Sequence, residues 1–599
     1  MLYIKNNLLI LLALLLVTST LHAQQTGTEI QNQHIQQLIQ IWGLVKYRSP
    51  KSVDGQFDAD QTFLQLVDNV KNADDIQFNQ LMTALVPPLS SLAENKIYDR
   101  SKSNHDQYMV NNVDYRWINN KKYSKGLKQQ LTALTNQINL SGKHHYIPSV
   151  WYEGDLPNEP AYATYKFDQE GMNLLALAKA WNAVEYLFPY KYMIGKDWKE
   201  VLKECIPMFR KIHDRQSYEK SVLLLGVAVN DTHAAEFSNE HMRMAREIFN
   251  VRYYPPFDYK AEPDGIIVQK FLNDSLAKSS ALHPGDQIVA IGSIKIEQWL
   301  KERAAMLPAS NEAVKYRSLS TSNNNRGDTF AFSNLDSGTV NVTVRREGKL
   351  LHFPLALLDL KNKENVRLVE SDIIGKREKA TSIKGREDIG TDVTMFRAGN
   401  FFEKDLPKAQ ELDKLSAELK SKKAIIFDMR AYPQAPALFS YYLPLVLGKG
   451  PFIFARYYAV NLEDVGTFKH REGLENYMYV AKDGVKRMGE LYTGKIVILT
   501  DEHTQSMGEW FSMMLRQLNN NTTVIGSQTA GADGDVKRIT IPGDYSFSFT
   551  GNAIAYPDGK ETQRIGIIPD IYFKPSAKDL SGTTDAQLQR ALKYINEGK

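Results

Sequence analysis

The sequence predicts a multidomain α+β protein: a helical N-terminal region, then a β module, then an α/β core. Three observations support this fold class. Residues 28–250 carry apolar side chains mostly at helical spacing, and residues 251–360 carry short strand patterns separated by turn residues. From about residue 365, buried strand patterns alternate with amphipathic helical patterns. A chain of 599 residues is too long for one hydrophobic core, so several domains are expected.

Composition narrows the class of protein. Hydrophobic residues make up 43% of the chain and charged residues 24%, which is typical of a globular protein. The formal net charge of +4 comes without any Lys/Arg-rich block, so no nucleic-acid partner is expected. The single cysteine, Cys205, excludes an internal disulfide. No His-x-x-x-His pair or carboxylate cluster has ligand spacing, so we expect no metal and no cofactor.

Residues 1–23 have the pattern of a secretory signal peptide. Lys5 precedes an apolar run over residues 8–17, and small and polar residues then lead to Ala23, after which cleavage is expected. This run is too short to cross a membrane as a helix, and no later stretch approaches about 18 apolar residues. The mature chain is therefore predicted to be exported, to the periplasm or the exterior, without a membrane span.

Domain boundaries follow from breaks in these patterns. Residues 24–250 form the mainly helical region, residues 251–360 the β module and residues 365–599 the core. The helical region contains one internal echo, which is Trp42-x4-Tyr47-x2-Pro50 and Trp181-x4-Tyr186-x2-Pro189. The echo indicates two related helices, each ended by a proline and packed by aromatic side chains.

The central candidate residue is a serine at a predicted strand-to-helix corner. Residues 496–499 form a buried strand pattern, and a helical apolar pattern begins at about Met507. Ser506 lies between them, where its hydroxyl can project from the sheet edge beside the N-terminal amides of the helix. A serine at this position can also simply cap the helix, so both interpretations stay open.

Three further stretches accompany this corner. They are a strand ending in Asp-x-Arg at 424–430, a strand entering a glycine loop at 523–531, and an Ile-Gly-Ile-Ile-Pro-Asp stretch at 565–570. Together they resemble the core of the S41 serine peptidases, the C-terminal processing protease and tricorn family, over roughly residues 390–575. In that family the nucleophilic serine lies three residues before a glutamate, as Ser506 does before Glu509. The resemblance implies a ClpP/crotonase-like α/β core with Ser506 as the nucleophile.

Part of the β module resembles a PDZ domain of the processing-protease type. The resemblance is carried by Pro284-Gly285-Asp286, followed by a strand pattern through Ile288 and Ile291. Such domains capture an extended peptide by adding it as a strand to a sheet edge, which implies peptide or protein substrates as partners. The alternative is that this module only packs against the core.

The resemblance offers two kinds of general base. Many S41 enzymes use a lysine in the glycine loop, but Ala532 occupies that position, and Lys537 would require a shifted loop. Tricorn-type relatives instead use a histidine in an Asp-x-His setting ahead of the PDZ-like module, which His233 matches. A histidine there can otherwise be a hydrogen-bonded structural residue. His503, three residues before Ser506, is the second candidate for the base.

The group that orients the base is also taken from the resemblance. Tricorn relatives carry a glutamate just before the Gly-Val-x-Pro-Asp stretch. Counting back from Gly566 selects Gln563, an amide that can orient a histidine but cannot balance its charge as a carboxylate would. Glu561, two residues earlier, is the alternative.

Two backbone N–H groups are expected to face the oxyanion. The N–H of Met507, at the start of the predicted helix, is the first. The resemblance to the S41 peptidases implies that the second comes from the turn after Asp-x-Arg, which is usually glycine-rich in that family. Here that turn contains Ala431 and Tyr432, either of which could donate, followed by Pro433, which has no N–H.

These interpretations predict an exported serine endopeptidase that cleaves peptide bonds through an acyl-enzyme at Ser506, with His233 as general base. The missing lysine and the missing glycines also leave a second hypothesis open. It is a catalytically degenerate S41-fold protein that binds peptides or acts as a scaffold in the periplasm. The sequence does not specify an oligomeric state.

Overall fold

A computed structural model describes residues 27–92, 107–148, 154–235, 247–321, 330–450, 452–471 and 490–598. The predicted signal peptide lies outside these described residues. The chain divides into two compact units. The first comprises Met1–Leu225, Val460–Phe468 and Lys537–Phe547, and the second comprises Gly226–Ala459, Lys469–Val536 and Ser548–Lys599. None of the described helices combines the length and the apolar character needed to cross a membrane.

The first unit is mainly helical, as the periodicity of the N-terminal region predicts. Its α-helices are 27–48, Pro50–Val53, Ala59–Asn72, Asp75–Leu85, Lys125–Thr135, Glu170–Leu187, Trp198–Arg210 and Arg215–Val229, the last of which continues into the second unit. The strands Val536–Ile541 and Tyr545–Thr550 form a two-stranded sheet whose central part, Lys537–Phe547, is counted with this unit.

The sequence echo corresponds to a repeated helix pair. The indole N–H of Trp42 donates to the carbonyl of Ala59 at 2.7 Å, and that of Trp181 donates to the carbonyl of Trp198 at 2.9 Å. In both cases the acceptor is the first residue of a later helix, Ala59–Asn72 or Trp198–Arg210, so each tryptophan fixes its own helix against that one. Both indoles are buried, which supports the structural interpretation of the echo.

In the second unit, a six-stranded antiparallel sheet spans residues 257–356. Its strands lie in the order Phe257–Glu262, Gly265–Phe271, Gln287–Ile291, Thr339–Arg346 and Lys349–Ala356, and Ile294–Lys295 pairs with the third. Glu347 and Gly348 form a hairpin turn between the last two strands, and both have positive φ, 52° and 80°. The helices Asp274–Ser279, Ile296–Ala304 and Glu312–Leu319 accompany the sheet, and Lys363–Ser382 follows it.

The C-terminal core contains a second six-stranded sheet. Its order is Arg386–Ile389, Val393–Arg397, Ala424–Asp428, Lys495–Thr500, Thr522–Gly526 and Ile571–Tyr572. Only the first pair is antiparallel. The helices of this region are Leu412–Ser421, Leu443–Val446, Met507–Arg516, Ala577–Ser581 and Ala586–Glu597. The predicted mixed α/β architecture with a helical N-terminal region is confirmed.

The parallel strands bring three loops to one edge of this sheet. Asp428 pairs with Leu499, and Thr500 pairs with Gly526, so these three strands end side by side. The strand interiors are apolar and fully buried, and residues such as Ile426, Val497 and Ile525 pack in one hydrophobic cluster. The loops that leave the carboxyl ends of the strands are where ligands bind in open α/β sheets. The loop after Thr500 leads to Ser506.

Candidate active site

Ser506 occupies a strained corner between a strand and a helix. The strand Lys495–Thr500 precedes it, and the helix Met507–Arg516 begins at the next residue. Its backbone has φ 53° and ψ −118°, a conformation that side-chain-bearing residues rarely adopt. Ser506 is the N-cap residue of this helix, and the Glu509 carboxylate accepts a hydrogen bond from its backbone N–H at 3.3 Å, as in a capping box. Both interpretations of Ser506, as a helix cap and as a nucleophile, therefore stay predictions.

Glu509 ties the serine corner to the glycine loop. Its carboxylate is fully buried, and Oε1 accepts hydrogen bonds from the Thr529 hydroxyl and, at 2.8 Å, from the N–H of Gly531. Oε2 accepts from the N–H of Ala532 at 3.0 Å and from the N–H of Ser506 at 3.3 Å. Burial raises the pKa of Glu509, and these donors oppose the shift. One side chain thus holds both backbone segments.

His233 lies in a buried 3₁₀ turn, Thr232–Ala235, and its exposed fraction is 1%. Its ring nitrogen Nδ1 is 2.8 Å from the hydroxyl of Thr550. Its backbone carbonyl accepts a hydrogen bond from the Ser548 hydroxyl at 2.6 Å. His233 is therefore attached at two points to the end of the strand Tyr545–Thr550.

Asp231 is the acidic group of this network. Its carboxylate is fully buried, and Oδ2 accepts from the backbone N–H of Thr550 at 2.6 Å. Oδ1 accepts from the Thr550 hydroxyl at 2.9 Å, from the amide of Gln563 at 3.2 Å and from the Ser310 hydroxyl at 3.5 Å. A buried carboxylate is tolerated when hydrogen bonds of this kind replace its hydration.

The two candidate orienting residues lie in different places. Gln563 is buried and donates to Asp231, so it reaches the histidine only through the aspartate and Thr550. Glu561 forms an antiparallel bridge opposite Ala555, and partial burial raises its pKa. The structure thus brings Gln563 into the hydrogen-bond network around Asp231.

The candidate oxyanion donors lie at the helix start and in the loop after Asp428. Met507 is the first helical residue, so its N–H has no acceptor within the helix. The Thr504 hydroxyl donates to the carbonyl of Met429 at 2.9 Å, which holds the two loops together near Ser506. Ala431 lies two residues beyond Met429 and is exposed.

The other candidates have different surroundings. His503 is 36% exposed, and its Nδ1 is 3.4 Å from Asp501. Lys537 is counted with the first unit, and Ala532 uses its carbonyl to accept from the N–H of Ser506 at 3.0 Å. Across the described ranges, no group of three or more His, Cys, Asp or Glu residues could hold a metal ion.

The Asp-x-Arg stretch forms an ion-pair cluster. The guanidinium of Arg430 binds both carboxylate oxygens of Asp428 at 2.8 Å and also contacts Asp585 at 2.6 Å. A bidentate pair with a second acidic partner is well suited to fix the chain after a strand. Its contacts are structural, since they join the strand end to the residue before the C-terminal helix.

Sequence reasoning missed Thr550 and the part played by Asp231. Asp231 stands two residues before His233, so the Asp-x-His spacing is a signal that could have identified it. Thr550 is 317 positions from His233 and lies at the end of a hairpin strand, where no local pattern distinguishes it. Only the folded chain brings this hydroxyl to the imidazole.

The core sheet, with Ser506 at the corner between a strand and a helix, defines the fold class of this part of the chain as α/β. In the sequence comparison, the model of Peptidase family S41 matches residues 457–573 of this chain. The matched region contains Ser506, Glu509 and Thr550. The resemblance to the S41 peptidases is thereby confirmed for the C-terminal part of the chain.

Individual proteins that resemble this chain share only a short segment or a low sequence identity with it. A Chlamydia pneumoniae protein, CPj1016/CpB1054, is 32% identical over 107 residues, which is 17% of this chain and 17% of that protein. Among solved structures, mature CPAF gives a TM-score of 0.48 at 14% identity, covering 72% of this chain and 99% of its own. The photosystem II D1 C-terminal processing protease gives a TM-score of 0.33 at 12% identity, covering 69% and 98%.

Proposed function

We propose that this protein is an exported serine endopeptidase that uses Ser506 as nucleophile and His233 as general base. The observation that carries the proposal is the strained strand-to-helix corner at Ser506, inside the region that matches the S41 family. Serine peptidases need a hydroxyl, a base, a group that orients the base, and N–H groups that face the oxyanion. The chain offers a candidate for each.

The reaction follows from these roles. Nε2 of His233 takes the proton from Ser506 Oγ while that oxygen forms a bond to the carbonyl carbon of the peptide. The N–H of Met507, with that of Ala431 or Tyr432, stabilises the resulting oxyanion. The C–N bond then breaks, and the amine leaves with the proton from His233. Water attacks the acyl-enzyme with His233 again as base, which releases the acid and restores the Ser506 hydroxyl.

We assign substrate capture to the antiparallel sheet of residues 257–356, acting as a PDZ-like module. Its Pro-Gly-Asp turn is well formed, because the Asp286 carboxylate accepts from the N–H of His283 at 2.7 Å and binds Arg346 at 2.6 Å. This turn leads into the strand Gln287–Ile291, and Gly285 has φ 92°. An extended peptide added to an edge of this sheet would be presented to the enzyme as an unfolded segment.

A fluorophosphonate probe tests the assignment of the nucleophile. Ser506→Ala should abolish labelling and the hydrolysis of an unfolded protein substrate. Ser512→Ala is the matched control, since Ser512 is buried in the same helix and donates to the carbonyl of Gly508 at 2.6 Å. That variant should label like the wild type. Absence of labelling in the folded wild type would instead favour the non-catalytic peptide-binding protein.

Export is tested separately by determining the N-terminus of the protein recovered from the periplasm or the medium. The signal-peptide prediction places the first residue of the mature chain at Gln24. A protein that retains Met1 and stays inside the cell would contradict export and leave the peptidase assignment untouched.

A further inference from the structure

We infer that Asp231 and Thr550 are a positioning pair for His233, in which the threonine hydroxyl connects the carboxylate to the imidazole. This inference rests on the proposed roles of Ser506 and His233. In a Ser-His-Asp triad the carboxylate binds the histidine directly. Here the direct partner of His233 is a hydroxyl, and the carboxylate is one hydrogen bond further away.

The chemistry of the three groups fixes the direction of each hydrogen bond. The Asp231 carboxylate is an acceptor, so the Thr550 hydroxyl directs its proton to Oδ1, 2.9 Å away. The hydroxyl oxygen then has only lone pairs to offer to Nδ1 of His233 at 2.8 Å, so Nδ1 must carry the proton. The other ring nitrogen, Nε2, is left unprotonated. That is the form a general base needs in order to accept a proton from serine.

The chain of hydrogen bonds from Asp231 through Thr550 to His233 is held in place at both ends. Asp231 binds the backbone N–H of Thr550 as well as its hydroxyl, which fixes the carboxylate against the strand end. Gln563 donates to the same carboxylate at 3.2 Å. At the other end, Ser548 holds the backbone carbonyl of His233 at 2.6 Å. The imidazole is therefore restrained in position and in tautomer by a preorganised set of buried groups.

This arrangement also accounts for the place of Gln563. The resemblance to tricorn relatives selects it as the orienting residue, yet its amide contacts Asp231 and not the imidazole. We therefore assign Gln563 to the support of Asp231. The negative charge that stabilises the imidazolium in the transition state comes from Asp231, through the Thr550 hydroxyl.

The test uses two substitutions at one position. Thr550→Ser keeps the hydroxyl, whereas Thr550→Val keeps the shape and removes it. The first measurement does not depend on activity: nitrogen-15 chemical shifts of histidine-labelled protein show which ring nitrogen carries the proton, and His233→Gln identifies the signals. Wild type and Thr550→Ser should show the Nδ1–H form of His233. Thr550→Val should lose it, and an Nε2–H form in the wild type would overturn the inference.

The second measurement is the rate of fluorophosphonate labelling at Ser506. Thr550→Val and Asp231→Asn should slow it by roughly 10²-fold or more, while Thr550→Ser should stay within about threefold of the wild type. Asp231→Asn serves as the second variant if Thr550→Val does not fold. If Thr550→Val and Asp231→Asn were both labelled at the wild-type rate, the inference that Asp231 and Thr550 position His233 would be wrong. If the wild type showed the Nδ1–H form of His233 but did not react with the fluorophosphonate, the proposed function would be wrong. The inferred positioning of His233 by Thr550 and Asp231 would still hold.

Discussion

The carboxylate of Glu509 accepts a hydrogen bond from the backbone N–H of Ser506, at 3.3 Å, across the first turn of the helix. The same carboxylate holds the Thr529 hydroxyl and the N–H groups of Gly531 and Ala532. The glutamate at the third position after Ser506 thus connects the serine backbone to the glycine loop.

Glu509→Gln should destabilise the fold and slow the reaction of Ser506. The amide would place an NH₂ group against one or two N–H donors that then lose their acceptor, which should lower the free energy of unfolding by about 3 kcal/mol in total. Labelling by a fluorophosphonate should fall at least tenfold. Glu312→Gln removes a charge from a side chain that is 70% exposed and should change the free energy of unfolding by less than about 0.5 kcal/mol. Similar behaviour of the two variants in urea unfolding would contradict this role of Glu509.

Gly566→Ala should displace the Glu509 carboxylate and the Thr529 hydroxyl that is bound to it. A Cβ at Gly566 would overlap the Thr529 hydroxyl and come within 2.9 Å of Glu509 Oε1, and φ is 72°. Gly559→Ala is the matched control, because φ is 86° and the nearest atom to its Cβ would be 3.7 Å away. Backbone strain of about 1 kcal/mol is common to both variants. Only Gly566→Ala should lose Ser506 labelling, and equal labelling in the two would show that the crowding has no effect.

The core and the serine corner could be predicted because their signals are local. Four apolar residues at 496–499 mark the centre of the strand Lys495–Thr500, and the apolar pattern from Met507 marks the helix that begins there. The environment of His233 could not be predicted in the same way. Its partner Thr550 is distant in sequence and lies at the end of a hairpin strand, Tyr545–Thr550. Counting within the family pattern therefore reached Gln563, which is separated from the imidazole by both Asp231 and Thr550.

His233→Ala should abolish turnover and slow fluorophosphonate labelling by roughly 10³-fold or more, because His233 is the proposed acceptor of the Ser506 proton. His503→Ala should leave both within about threefold, since that side chain is 36% exposed and lies beside Asp501. Circular dichroism and thermal unfolding should show that both variants are folded. Equal losses, or a loss confined to His503→Ala, would transfer the role of general base to His503.

His144 in the first unit should make stability depend on pH. Burial lowers the pKa of His144 to about 4, and its ring already accepts from the N–H of Tyr146 at 3.0 Å and contacts the carbonyl of Tyr47 at 3.2 Å. The unfolded chain takes up this proton near pH 6.5. The contribution of neutral His144 is therefore fully present above about pH 6.5 and is lost as the pH falls towards 4, by about 3 kcal/mol at most.

Urea unfolding at pH 7 and pH 4.5 measures this effect. His144→Gln should show a smaller loss of stability between the two pH values than the wild type. His213→Gln, at a side chain that is 76% exposed, should match the wild type. A pH dependence that is unchanged in His144→Gln would assign the acid sensitivity to other groups.

The central claim is that folding brings His233 to Ser506, and a crystal structure of the phosphonylated protein tests it most directly. We expect phosphorus on Ser506 Oγ, with Nε2 of His233 within about 3.2 Å of that oxygen, as a general base requires. The phosphonyl oxygen should face the N–H of Met507. An adduct on another residue, or an imidazole more than about 5 Å from Ser506 Oγ, would contradict the proposed mechanism.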